Sequence, residues 1–103
     1  MSQQPPILQE ENPLLDDAVM QPLVQVFLER LPERVLNMEQ ALANDDWPLL
    51  ARYAHQVKGT AASFGYPALT ASARELEACL KTADTRQAAK IFQTMKEYVL
   101  GRS

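Results

Sequence analysis

Between residues 19 and 100, apolar side chains recur every three or four positions. That is the period of helices packed on one side. In the first long segment, from about Val19 to Ala43, the stripe is Leu23, Phe27, Leu31, Val35, Met38 and Leu42. Pro22 suits its first turn. Pro32 falls well inside it, where a missing N–H and a ring clash predict a kink or a local break. Asn44-Asp45-Asp46 ends the segment and caps the next helix, which runs from Asp46 or Trp47 to Phe64 with Pro48 in its first turn. Gly65 is placed for a left-handed cap. Pro67 opens a third helix, to about Lys81, with Leu69, Ala73, Leu76 and Leu80 on one face. Asp84 caps a fourth, through about Leu100, with Ala88, Phe92, Met95 and Val99 inward. Trp47 and Cys79 read as packing residues.

Residues 1–12 are polar, carry Pro5-Pro6 and are expected to be a disordered leader. Asn12-Pro13 signals a short helical turn through Asp16. No segment alternates with period two, and no Asn-Gly or Asp-Gly hairpin turn occurs. The expected fold is all-α: an antiparallel up-down-up-down four-helix bundle over 13–103, with a short N-terminal helical turn.

Composition narrows the chemistry. The 103 residues hold 10 Lys plus Arg against 13 Asp plus Glu, a net charge of −3. A dedicated nucleic-acid binder would normally be basic. No apolar run is long enough for a membrane span, and the start of the chain lacks the pattern of a signal peptide. One cysteine, Cys79, cannot form an internal disulfide and fits a reducing cytoplasm, the expected location. With one histidine and one cysteine, a structural zinc site is nearly excluded. Three glycines and no phosphate-loop motif argue against a bound nucleotide, so no cofactor of its own is expected.

The informative segment is Pro48 to Phe64. On a helical wheel Leu50, Tyr53, Ala54, Val57, Ala61 and Phe64 face the core, and the opposite arc centres on His55. The column through His55 is Ala51, Gly59 and Ala62, flanked by Arg52 and Lys58. Gly59 costs about 1 kcal/mol relative to Ala in a helix interior, so stability alone would not place it there. Small neighbours leave the imidazole accessible, and Lys58 is a flexible cation able to meet an anion. Hydrolysis would need a nucleophile and an acid behind the ring. Neither is apparent, and Glu75 and Glu77 read as surface or capping contacts. A neutral imidazole is nevertheless a competent nucleophile. The residues suit acceptance of a phosphoryl group. Their rivals are a helical adaptor that binds a signalling partner without phosphorylation, and an enzyme using His55 as general base.

The run Ala54-His55-Gln56-Val57-Lys58-Gly59-Thr60-Ala61, followed by Phe64-Gly65, Leu69 and Leu76-Glu77, resembles histidine-containing phosphotransfer (HPt) domains. These are the four-helix bundles of multistep two-component phosphorelays. Phe27, Leu28 and Pro32 extend the likeness upstream. Val57, Thr60 and Tyr66-Pro67 are mild departures from the family pattern. The resemblance implies that His55 is the phosphoacceptor, Lys58 the phosphate-side cation and Gly59 the small residue giving access. It implies a monomeric relay intermediate without kinase or ATP-binding activity. That intermediate takes the group from a phospho-Asp receiver domain of a hybrid sensor kinase and passes it to the receiver domain of a response regulator. Mg²⁺ is expected on the receiver. Ala51, Arg52, Gln56 and Ala62 are the expected partner contacts.

Overall fold

A computed structural model describes residues 11–101. A one-turn 3₁₀ helix, Pro13–Asp16, precedes four α-helices: α1 (Met20–Ala43), α2 (Trp47–Ser63), α3 (Pro67–Lys81) and α4 (Thr85–Leu100). Each packs on its neighbour in sequence, and α4 closes the ring against α1. No strand occurs among the described residues. The architecture is therefore the all-α four-helix bundle that the periodicity predicts.

The inner faces supply one core, including Leu31, Val35 and Met38 of α1, Leu50 and Val57 of α2, Leu69 and Leu76 of α3, and Phe92, Met95 and Val99 of α4. The predicted α1 stripe is corrected at its start. Leu23 is half-exposed at 49%, and Val24, seven residues before Leu31, is buried in its place. Of the kink or local break expected at Pro32, the break does not occur: α1 is one helix from Met20 to Ala43. Leu31 and Val35, buried on either side, hold both halves in the same core. Their packing offsets the roughly 3 kcal/mol that an interior proline costs.

Three connections of three residues each share one backbone solution. After α1, α2 and α3 the chain enters the left-handed region at Asp45 (φ 55°), Gly65 (φ 87°) and Ala83 (φ 58°). The next amide then reaches back across the helix end: Asp46 N to Ala41 O, Tyr66 N to Ala61 O and Asp84 N to Cys79 O, each 2.9 Å. This is the Schellman closure, which satisfies carbonyls a helix end otherwise leaves unpaired. Asp46 and Asp84 then accept from Leu49 N and Gln87 N, so each ends one helix and starts the next.

Of the expected leader, residues 1–10 lie outside the described residues. Asn12 is not part of a leader in structural terms: it is buried. Its side-chain oxygen accepts from Leu14 N, and its amide donates to Phe64 O at 2.8 Å. The first turn is thereby fastened to the end of α2. Phe27 of α1 packs on Phe64 and Tyr66 at 5.3 and 5.8 Å between ring centres, which ties α1 to the same end. Helix α1 starts at Met20, and Asp17 Oδ1 accepts from the amides of Val19 and Met20.

The two turns predict opposite signs for opposite substitutions. Gly65→Ala would force a side chain into the left-handed region and put its Cβ 2.5 Å from Asn12 Oδ1, so about 2 kcal/mol of stability should be lost. Ala83→Gly relieves the same backbone cost but loosens the unfolded chain, leaving a net gain of up to about 1 kcal/mol. Urea unfolding of both variants checks this, and a loss at both positions would contradict it.

Candidate functional site

Helix α2 presents His55 outward, with its side chain 67% exposed. Leu50, Ala54, Val57 and Ala61 of the same helix are fully buried, which fixes the orientation of the imidazole. Around it, Ala51 is half-buried, and Arg52, Gln56, Gly59 and Ala62 are exposed. A Cβ added at Gly59 would meet nothing within 4 Å. The small-residue column therefore leaves open space beside the ring.

A residue from α3 completes the arrangement. Glu77 Oε2 lies 2.9 Å from His55 Nδ1, and Glu77 Oε1 accepts from Lys58 Nζ at 2.6 Å. Glu77 is nearly buried, with 12% of its side chain exposed. The expectation that no acid stands behind the ring, and that Glu77 makes only surface or capping contacts, is overturned. Within α3, Glu77 follows the fully buried Leu76, so it sits at the border of the core stripe and faces α2. Ten residues back from Gly65 is His55 and twelve forward is Glu77, so the tight turn brings them nearly level. The Leu76-Glu77 pair at the core border was the sequence signal for this contact.

The electrostatics follow from the geometry. The Lys58 ammonium holds the Glu77 carboxyl below the usual carboxylate range; burial opposes this, and the His55 hydrogen bond assists it. An ionised carboxylate can only accept, so Nδ1 of His55 carries a hydrogen. In the neutral ring the lone pair is then on Nε2. The chain thus supplies an exposed imidazole with one nitrogen tied to a carboxylate and the lone pair on the other. Lys58, expected as the phosphate-side cation, is paired with Glu77 and only 29% exposed.

Of the other predicted contacts, Gln56 accepts a hydrogen bond from Arg34 Nη1 of α1, a residue the sequence reading did not associate with the site. No group of three or more His, Cys, Asp or Glu side chains suited to a metal ion occurs among the described residues. None of the described helices is long and apolar enough to cross a membrane.

The family model of the Hpt domain matches residues 22–100. No curated protein and no solved structure matches the chain. The match spans α1 from its first turn through the end of α4 and takes in His55, Lys58 and Glu77 together. The chain therefore belongs to the Hpt domain family, the phosphotransfer modules of two-component systems.

Proposed function

We propose that this protein is a phosphorelay intermediate, with His55 receiving a phosphoryl group from a phospho-Asp of one receiver domain and delivering it to the aspartate of another. The observation that carries this reading is the Nδ1 contact with Glu77, which leaves Nε2 exposed and nucleophilic. In the forward step the Nε2 lone pair attacks phosphorus, an N–P bond forms, and the bond from phosphorus to the aspartyl oxygen breaks. The aspartate departs as a carboxylate. Nδ1 keeps its hydrogen throughout, and Glu77 stabilises the positive charge that develops on the ring. The second transfer reverses these bonds on a new aspartate.

Phosphoryl transfer depends on positioning and charge stabilisation more than on covalent chemistry by the protein. Here His55 supplies the acceptor, Glu77 positions it, and Gly59 with Ala51 and Ala62 gives the partner room to approach. Lys58 rests on Glu77, and its flexible stem lets the ammonium swing toward the transferred group as the phosphate-side cation. Arg52 and Gln56 lie within the covered surface. The remaining apparatus, including Mg²⁺, belongs to the receiver. The chain has no kinase activity of its own in this scheme, and it acts in the cytoplasm as a monomer.

Incubation with a phosphorylated receiver should place acid-labile, base-stable label on the protein. His55→Gln should keep the helical fold and lose all of that label. Stable binding by the wild type without label would identify an adaptor instead.

Glu77→Ala leaves Lys58 and the ring without their shared partner. Loss of such an orienting group typically costs about 10–100-fold, and transfer should fall in that range. Glu77→Gln retains an acceptor for Nδ1–H but not the charge, so it should fall less. The lowered pKa of Glu77 also has a stability consequence. Its contribution is present above the ordinary carboxylate range and disappears as pH falls through the lowered value. Wild type should lose stability at acid pH more steeply than Glu77→Gln, as read by unfolding at several pH values.

Gly59→Ala should raise stability by up to about 1 kcal/mol, because its Cβ enters open space. Gly59→Glu should also fold, yet transfer should drop steeply because a carboxylate would stand one turn from His55. Thermal unfolding paired with transfer rates tests both, and a folded Glu variant working at the wild-type rate would remove the column from the docking surface.

A further inference from the structure

The surface beside His55 continues onto α1, where it changes character twice. At its far end Leu23, Val26, Phe27 and Phe64 line an apolar trough between α1 and α2. Leu23 and Val26 are about half-exposed there, at 49% and 45%. Nearer His55, Glu33, Asn37, Tyr53 and Gln56 line a polar cleft. Arg30 and Arg34 belong to both hollows and form the junction. Arg34 reaches across to Gln56, the residue after His55.

This pair of arginines is not explained by the stability of α1. They stand four residues apart on one helix, a spacing at which like charges are destabilising. Neither guanidinium forms an ion pair with a carboxylate among the described residues; the ion pairs recorded there are His55 and Lys58 with Glu77, and Lys96 with Glu39. Glu33 is the acid in the cleft wall. Arg34 uses one donor on Gln56 and has others free for a planar anion. A typical stable interface covers roughly 800 Å² of each partner, much more than the column around one histidine. A domain docked on His55 therefore extends over the neighbouring part of α1.

We propose that Arg30 and Arg34 form a carboxylate-receiving subsite that selects the docking partner. Its occupant is a helix of the receiver domain that seats apolar side chains in the trough and an acidic side chain between the two guanidiniums. The inference rests on the relay reading and adds a determinant of partner choice to it. Complementarity of charge carries it: an unpaired cationic pair at the end of an apolar trough matches an amphipathic helix with an acid about one turn from its apolar residues. Arg34 here acts on encounter and register and does not touch the transferred group.

The experiment uses the full chain and a phosphorylated receiver domain that labels His55. Arg34→Glu should raise the half-saturating receiver concentration about tenfold, with the transfer rate at saturation held within about twofold. The salt dependence of the efficiency should weaken, a readout that a merely structural role would not move. Arg34→Lys keeps the charge but loses the fork and should fall between wild type and Arg34→Glu. Gln56→Ala removes the hydrogen bond to Arg34 together with one neutral contact of the covered surface, so it should raise half-saturation less than Arg34→Glu and keep the salt dependence of the wild type. Circular dichroism and thermal unfolding establish that each variant is folded. An unchanged half-saturating concentration and salt response in Arg34→Glu would overturn the subsite and leave the relay intact. A slowed saturated rate with unchanged half-saturation would also overturn it, since Arg34 would then act on His55. Absence of label on wild type from every receiver tried would sink the relay reading and this inference together.

Discussion

A carboxylate withdrawn from water between two helices must find partners for both oxygens, and Glu77 meets that demand with two residues of α2. One oxygen takes Lys58 and the other takes His55. Removing one partner of such a group leaves a buried charge partly unpaired, which is more costly than never having buried the pair. The placement of α3 against α2, the tautomer of the ring and the position of the lysine are therefore one problem with one solution. A slip of α3 along α2 by a single turn, about 5.4 Å, would strand all three groups.

What prevents that slip is the turn at Gly65. Its three-residue length and left-handed centre leave little freedom in how α3 returns along α2. Asn12 presses on Gly65 and binds Phe64 O, while Phe27 packs on Phe64 and Tyr66. The N-terminal turn and the first third of α1 thus brace the same end of the bundle. The chemistry proposed for His55 depends on contacts nearly three helical turns away, because those contacts hold the register that brings Glu77 to the ring.

The sequence was legible where one helix could be read by itself. Leu31, Val35 and Met38 gave the inner face of α1, and the wheel around His55 separated buried from exposed positions on α2 correctly. Legibility failed where two segments had to be compared. Periodicity reports which side of a helix is apolar, but not which neighbour stands on the other side. His55 and Glu77 are 22 positions apart, so no local spacing rule joins them. Arg34 and Gln56 are separated by the same interval across the α1–α2 turn and escaped for the same reason. Ala83 shows a different limit: it occupies a left-handed position without being Gly or Asn, because the closure around it outweighs its own preference. At Pro32 the local rule was sound, but core packing on both sides outweighed it.

One difficulty for the proposed relay is that a carboxylate beside its phosphoacceptor should repel the group it is meant to help receive. At 4 Å, two like unit charges in surroundings of effective dielectric 20 oppose each other by about 4 kcal/mol, enough to slow a transfer a thousandfold. The geometry avoids this in three ways. Glu77 lies on the Nδ1 side, so the ring itself separates it from Nε2, where the proposed relay would bring the phosphoryl group. Its charge is opposed at 2.6 Å by Lys58 on the oxygen that the ring does not use. Finally, α2 itself carries Arg52 and Lys58 and no acidic residue from Trp47 to Ser63, in a chain where acids outnumber bases by 13 to 10. An acid on α2 could have oriented the imidazole only from its exposed face, in the path of the incoming anion. Placing the orienting carboxylate on the neighbouring helix, behind the ring and paired, makes the ring a better nucleophile without making its approach more negative.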